Sequence, residues 1–93
     1  MYSNFWYYFI FEYTIKNEIG IHARPAGNLV KFIRGFKSRV TIEKEGKPPV
    51  NATALIKLMG LGAECGNTVK VTIEGEDEEA AAAAIEEYMK ANL

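Results

Sequence analysis

The sequence predicts an open-faced α/β sandwich: a four-stranded antiparallel sheet with three helices on one face, in the order β-α-β-β-α-β-α. Three observations predict it. Stretches of alternating apolar and polar residues mark strands that bury one face and wet the other, as in an antiparallel sheet covered on one side only. Between them lie segments with apolar residues at helical spacing. The 93 residues suffice for one core of two packed layers and little more, so a single domain over 1–93 is expected.

From Phe5 to Lys16 the odd positions Phe5, Tyr7, Phe9, Phe11, Tyr13 and Ile15 are apolar, while Glu12, Thr14 and Lys16 are polar. The first helix is expected over 24–36, where Ala26, Leu29, Val30 and Ile33 fall at i, i+3, i+4 and i+7. SRVTIEK, 38–44, points Val40 and Ile42 inward, and a turn at EGK leads to a short extended piece at 49–51. TALIKLMGLG, 53–62, reads as a short helix ended by Gly60 and Gly62. NTVKVTIEG, 67–75, buries Val69, Val71 and Ile73. The last helix, 77–92, opens with Asp77, Glu78 and Glu79 as a solvated acidic cap at the positive end of its dipole. It carries Ile85, Tyr88 and Met89 on one stripe, and its run Ala80 to Ala84 lets it lie close to the sheet.

Composition removes several function classes. Eleven Lys/Arg against twelve Asp/Glu give a net charge of −1 with no basic cluster, so no nucleic-acid partner is expected. The single cysteine, Cys65, cannot close an internal disulfide, and with one histidine it falls short of a metal-ligand set. Neither metal nor cofactor is expected, and Cys65 reads as a free thiol in a reducing, cytoplasmic compartment. The N-terminal MYSNFWYYFIF is aromatic, too short to span a bilayer, and lacks a basic n-region and a small-residue cleavage site, so neither a signal peptide nor membrane insertion is expected. Trp6, Tyr8 and Ile10 would fall on the face that turns polar from Glu12 onward. Residues 1–8 therefore read as an extension that continues the first strand and meets another molecule, a second copy of the chain being one candidate.

The only histidine, His22, lies in IGIHARPAG, 19–27. Pro25 suits the first turn of a helix, which places His22 and Ala23 at its entrance beside backbone N–H groups without partners. Such an entrance favours an anion and disfavours an imidazolium, leaving a nucleophilic ring nitrogen. Arg24 adds a planar fork of donors for a bound phosphoryl group. A lone histidine in a loop is more often simply solvated, and Arg24 could be merely exposed. No acid or base partner supports hydrolysis, however, and no Ser/His/Asp arrangement can be assembled. Phosphoryl relay fits better: a ring nitrogen attacks, and the entrance N–H groups, that of Ala23 included, hold the oxygens together with Arg24.

GIHARPA at 20–26, VNATALIKLMGLGA at 50–63, GNTVKV at 66–71 and EGEDEEAAAAAIEEYM at 74–89, in this order and spacing, resemble the histidine-containing phosphocarrier protein (HPr) family of the phosphoenolpyruvate-dependent sugar phosphotransferase system. The resemblance covers roughly residues 12–93. It implies that His22 is phosphorylated at Nδ1 by enzyme I and passes the group to sugar-specific A-type components, with Arg24 stabilising it. It also implies that Leu55, Ile56 and Met59 form an apolar docking patch beside the histidine. Core packing competes for those three, but a two-turn helix needs fewer for one buried stripe, so at least one should be exposed.

Two departures stand out. Where the family's second helix opens with a serine that a regulatory kinase phosphorylates, this chain has Ala54, preceded by Thr53, whose hydroxyl is expected to cap the helix. The chain also carries about seven further N-terminal residues, most of them aromatic. The expectation is a carrier in a phosphotransfer relay and not a free-standing enzyme. The alternative is a non-carrier regulatory interaction module with the same fold, against which His22 argues, because binding alone needs no nucleophile. A small-molecule-binding domain would need a concave pocket, and no Gly-rich phosphate loop marks one.

Overall fold

The computed structural model describes residues 3–4 and 8–93, with side-chain surroundings from Phe9 onward. Its elements are β1 (Ser3–Asn4), β2 (Tyr8–Thr14), α1 (Ala23–Ile33), β3 (Arg39–Lys44), β4 (Val50–Asn51), α2 (Leu55–Gly60), β5 (Thr68–Glu74) and α3 (Glu78–Asn92). The strands form one sheet in the order β1-β2-β5-β3-β4, every neighbour antiparallel. The four strands expected from the alternation are therefore present, with the two-residue β1 added at one edge.

Register explains why one face is dry. Phe9 lies across from Ile73 and that from Val40, and Phe11 lies across from Val71 and that from Ile42, so the apolar positions of three strands line up in rows. All six are buried, against Ala26, Leu29, Val30 and Ile33 of α1 and Ala81, Ala82, Ile85 and Met89 of α3. Ala81 and Ala82 are the buried members of the alanine run; no larger side chain holds α3 away from the sheet there. On the open face Glu12, Lys70 and Glu43 form a polar row, and Thr14 and Thr68 share a hydroxyl hydrogen bond of 2.7 Å. Truncating a fully buried side chain such as Ile42 to alanine should cost about 2–5 kcal/mol.

Several expectations are corrected. The strand expected from Phe5 is described from Tyr8, and instead of continuing outward the chain pairs back on it, with Ser3 opposite Ile10 and Asn4 opposite Phe9. The edge of β2 thereby finds backbone partners within the same chain. Phe5, Trp6 and Tyr7, and the side chain of Tyr8, lie outside the described residues. Helix α1 starts at Ala23 and stops at Ile33, three residues short of Phe36. Helix α2 starts at Leu55, and Thr53 does not cap it: the Thr53 hydroxyl donates to Asn51 Oδ1 at 2.7 Å, an acceptor already held by the Thr53 N–H at 2.8 Å. This local turn outcompetes the cap.

The start of α3 also differs from a solvated cap. Asp77 accepts hydrogen bonds from the backbone N–H groups of Lys37 and Ser38 and from the Ser38 hydroxyl, which holds its carboxyl below the usual range. Glu78 accepts from the Gly75 N–H at 3.0 Å. Gly75 has φ +146°, and a Cβ there would lie 2.7 Å from the Ser38 Cα, so only glycine lets the two loops meet. No described helix is long and apolar enough to cross a membrane.

Candidate functional site

His22 is held from both sides. Before it, Ile21 is buried and its N–H donates to the Ala63 carbonyl at 2.9 Å, which fastens the loop to the segment after α2. Gly20 permits that approach: its φ is +80°, and a Cβ would lie 2.7 Å from the Ala63 oxygen. The N–H groups of Lys16 and Asn17 both donate to the Leu93 carbonyl at 2.7 Å, bringing the end of α3 beneath the same loop. After it, α1 begins at once. His22 is its N-cap residue in extended conformation, and its carbonyl accepts the first helical bond, from the Ala26 N–H at 2.9 Å.

The imidazole makes no capping hydrogen bond. Pro25 has no N–H, and those of Ala23 and Arg24 have no partner among the described residues. Two donors therefore stand open at the positive end of an 11-residue helix whose first turn contains no acidic residue. The half-buried His22 and the exposed Arg24 line one shallow depression of about 220 Å³. The sequence-expected residues His22, Ala23 and Arg24 thus come together at one helix end.

The same depression is walled by Asn17, Pro25 and Asn28 and, from α3, by Tyr88 and Asn92. Sequence reading assigned none of the four residues Asn17, Asn28, Tyr88 and Asn92 to the site. Asn28 lies four residues after Arg24, hence on the same face of α1, and could have been found by that spacing. Tyr88 was expected on the core stripe of α3; it is half-buried and stacks on Phe32 with ring centroids 4.3 Å apart. Asn17 and Asn92 gave no local signal, because only the tertiary fold brings them here.

Helix α2 packs beside α1 and buries Leu58 alone. Ile56 is 80% exposed, Leu55 is 37% exposed and Met59 is half-buried. Ile19, unremarked in the sequence, is 70% exposed on the loop that Gly20 fastens just past the end of α2. Lys44 and Lys47 donate to the carbonyls of Gly62 (2.9 Å) and Gly60 (3.3 Å), which fixes the last turn of the short helix by cations at its negative end.

Comparison with known proteins fits this geometry. Residues 10–91 match the family described as the PTS HPr component phosphorylation site. The phosphocarrier protein HPr of Xylella fastidiosa is 38% identical over 79 residues, covering 85% of this chain and 88% of that protein. The multiphosphoryl transfer protein of Salmonella typhimurium is 39% identical over 85 residues, covering 88% of this chain, which spans only 22% of that relative's length. Among solved structures, HPr from Thermoanaerobacter tengcongensis superimposes with a TM-score of 0.83 at 38% identity, covering 89% of this chain and 92% of that one. With a matching family model, a relative matched over 88% of its own length and the histidine at an open helix start, this chain belongs to the HPr phosphocarrier family of the phosphotransferase system.

Proposed function

We propose that this chain accepts a phosphoryl group on His22 from enzyme I and passes it to sugar-specific A-type components, in the cytoplasm. One observation carries the reading: an imidazole free of capping bonds sits where two backbone N–H groups and a guanidinium have no partner among the described residues. A ring nitrogen attacks phosphorus and forms the N–P bond as the bond to the donor breaks. The N–H groups of Ala23 and Arg24 and the Arg24 guanidinium hold the phosphoryl oxygens where charge develops. Onward transfer is the same step with this chain as donor.

Leu55, Ile56 and Met59, joined by Ile19, supply the apolar surface on which these partners dock. The exposure of Ile19, Leu55 and Ile56, with no covering element among the described residues, supports that role. A second copy of the chain meeting residues 1–8 belongs to the same proposal and is tested by sedimentation with and without them. For the carrier role, the protein is incubated with phosphoenolpyruvate and enzyme I. The expected product is an acid-labile, base-stable phosphate, absent in His22→Ala. A wild-type protein left unmodified by a competent enzyme I sinks the proposal.

A further inference from the structure

The depression around His22 differs in charge from two larger ones on the molecule. The hollow at the start of α3 is lined by Glu76, Asp77, Glu78 and Glu79, and that on the open sheet face by Glu12, Glu43 and Glu45 around Lys70. Although the chain carries twelve Asp and Glu, none lines the hollow that holds His22, where three asparagines stand instead.

Two of those asparagines have structural work. Asn17 Oδ1 accepts from the Ile19 N–H at 2.9 Å and shapes the loop before His22, and Asn92 Nδ2 donates to the Tyr88 carbonyl at 2.9 Å at the end of α3. Asn28 has none. It is exposed inside α1, where asparagine is a poorer helix former than alanine, and its amide has no hydrogen bond among the described residues. It lies one turn from Arg24, whose five guanidinium donors are likewise unused among the described residues.

We infer that Asn28 is a positioning residue for phosphoryl transfer: when His22 carries the phosphoryl group, the Asn28 side-chain oxygen, unpartnered here among the described residues, accepts from Arg24 and turns the guanidinium toward that group. This rests on the proposed role of His22. A carboxylate at position 28 would hold Arg24 more tightly, but it would compete with the phosphoryl oxygens for the same donors and repel their charge. A neutral amide orients the guanidinium and leaves its charge for the phosphoryl group.

The test compares Asn28→Ala and Asn28→Asp, each in the wild-type and Arg24→Ala backgrounds. It reads the transfer rate from phosphorylated enzyme I and the half-life of the phosphorylated protein at fixed pH. Asn28→Ala should slow transfer about threefold to tenfold, the size of one lost hydrogen bond, with thermal stability at least that of wild type. Asn28→Asp should slow it further, with the added loss shrinking at high salt. In the Arg24→Ala background the Asn28→Ala effect should vanish, and that of Asn28→Asp should shrink to the repulsion its own charge exerts on the phosphoryl group. A rate for Asn28→Ala equal to wild type overturns the inference, as does an undiminished effect in the Arg24→Ala background or an Asn28→Asp rate no lower than that of Asn28→Ala. A wild type that takes no phosphoryl group overturns the reading of His22 itself and this inference with it.

Discussion

Helices α1 and α3 start in opposite ways. At α3 the chain supplies its own anions: Asp77 gathers the Lys37 and Ser38 donors, and Glu78 reaches back to the Gly75 N–H. At α1 no acidic residue stands in the first turn, the N-cap side chain makes no capping bond, and a cation stands at the second helical position. Each positive helix end attracts negative charge. At the first, carboxylates built into the chain stand beside the helix end while their hydrogen bonds tie two loops together; the second, on the proposed reading, is left for an anion that comes and goes. A stable fold would favour filling both, so on the proposed reading the unfilled end gives up stability for chemistry.

Filling it should break the difference. Ala23 is the exposed first residue of α1, and Ala23→Glu would give this helix start the carboxylate that α3 already has. Stability should rise by about 0.3–1 kcal/mol, while phosphoryl acceptance falls on the order of a hundredfold, as expected for like charges about 5 Å apart in a partly solvated site. Thermal unfolding and phosphorylation by enzyme I should thus move in opposite directions. Undiminished acceptance would show that the open terminus plays no part.

Removing the cation tests the same end more gently. Arg24→Ala should slow transfer about tenfold or more, through loss of charge-assisted hydrogen bonds, and leave the melting temperature close to that of wild type. Arg24→Lys should recover only part of the rate, because an ammonium lacks the planar fork. Equal rates for wild type and Arg24→Ala at saturating enzyme I would make Arg24 a bystander.

How far these two helix starts were legible differs for a physical reason. The α1 site is local: His22, Arg24 and Pro25 lie within four residues, so periodicity and the proline locate the open donors before any fold is known. The register of Val40 and Ile42 with Val71 and Ile73 was legible likewise, because alternation fixes which face is dry. Asp77 was misread as a solvated cap because its donors lie 39 and 40 residues away, and Asn17 and Asn92 were missed for the same kind of reason. The pairing of Ser3 and Asn4 back onto β2 was hidden because alternation does not say where a chain reverses.

The filled end makes a prediction of its own. Asp77→Asn keeps the shape but weakens the bonds to Lys37 and Ser38, so it should lower the melting temperature at pH 7 and leave phosphoryl transfer unchanged. The sign with pH follows from the lowered carboxyl pKa, whose first cause is the Ser38 hydroxyl and second the Lys37 N–H. The stabilisation is complete above the unfolded-state value of about 3.9 and is lost as pH falls through the lower folded value. The gap between wild type and Asp77→Asn should therefore be constant near neutrality and close only below about pH 4. A gap that widens on acidification would contradict the assignment.

Helix α2 starts in a third way, from an alanine N-cap, and offers the smallest test. Ala54, its N-cap residue, has φ −97° and ψ 94°, the extended conformation from which a serine hydroxyl reaches the second or third helical N–H. Ala54→Ser should stabilise the fold by about 1 kcal/mol without altering transfer from His22. It also restores a hydroxyl where the family carries its regulated serine. Wild type should gain no acid-stable phosphate from the cognate seryl kinase and ATP, and Ala54→Ser should gain one. Thr53 is a poor substitute, since its hydroxyl is already donated to Asn51 and it stands one residue away, a rotation of about 100° around a helix axis. Intact mass after incubation decides the matter: an acid-stable phosphate on wild type, mapped to Thr53, would mean that the uncapped start of α2 has moved its regulation by one residue and not lost it.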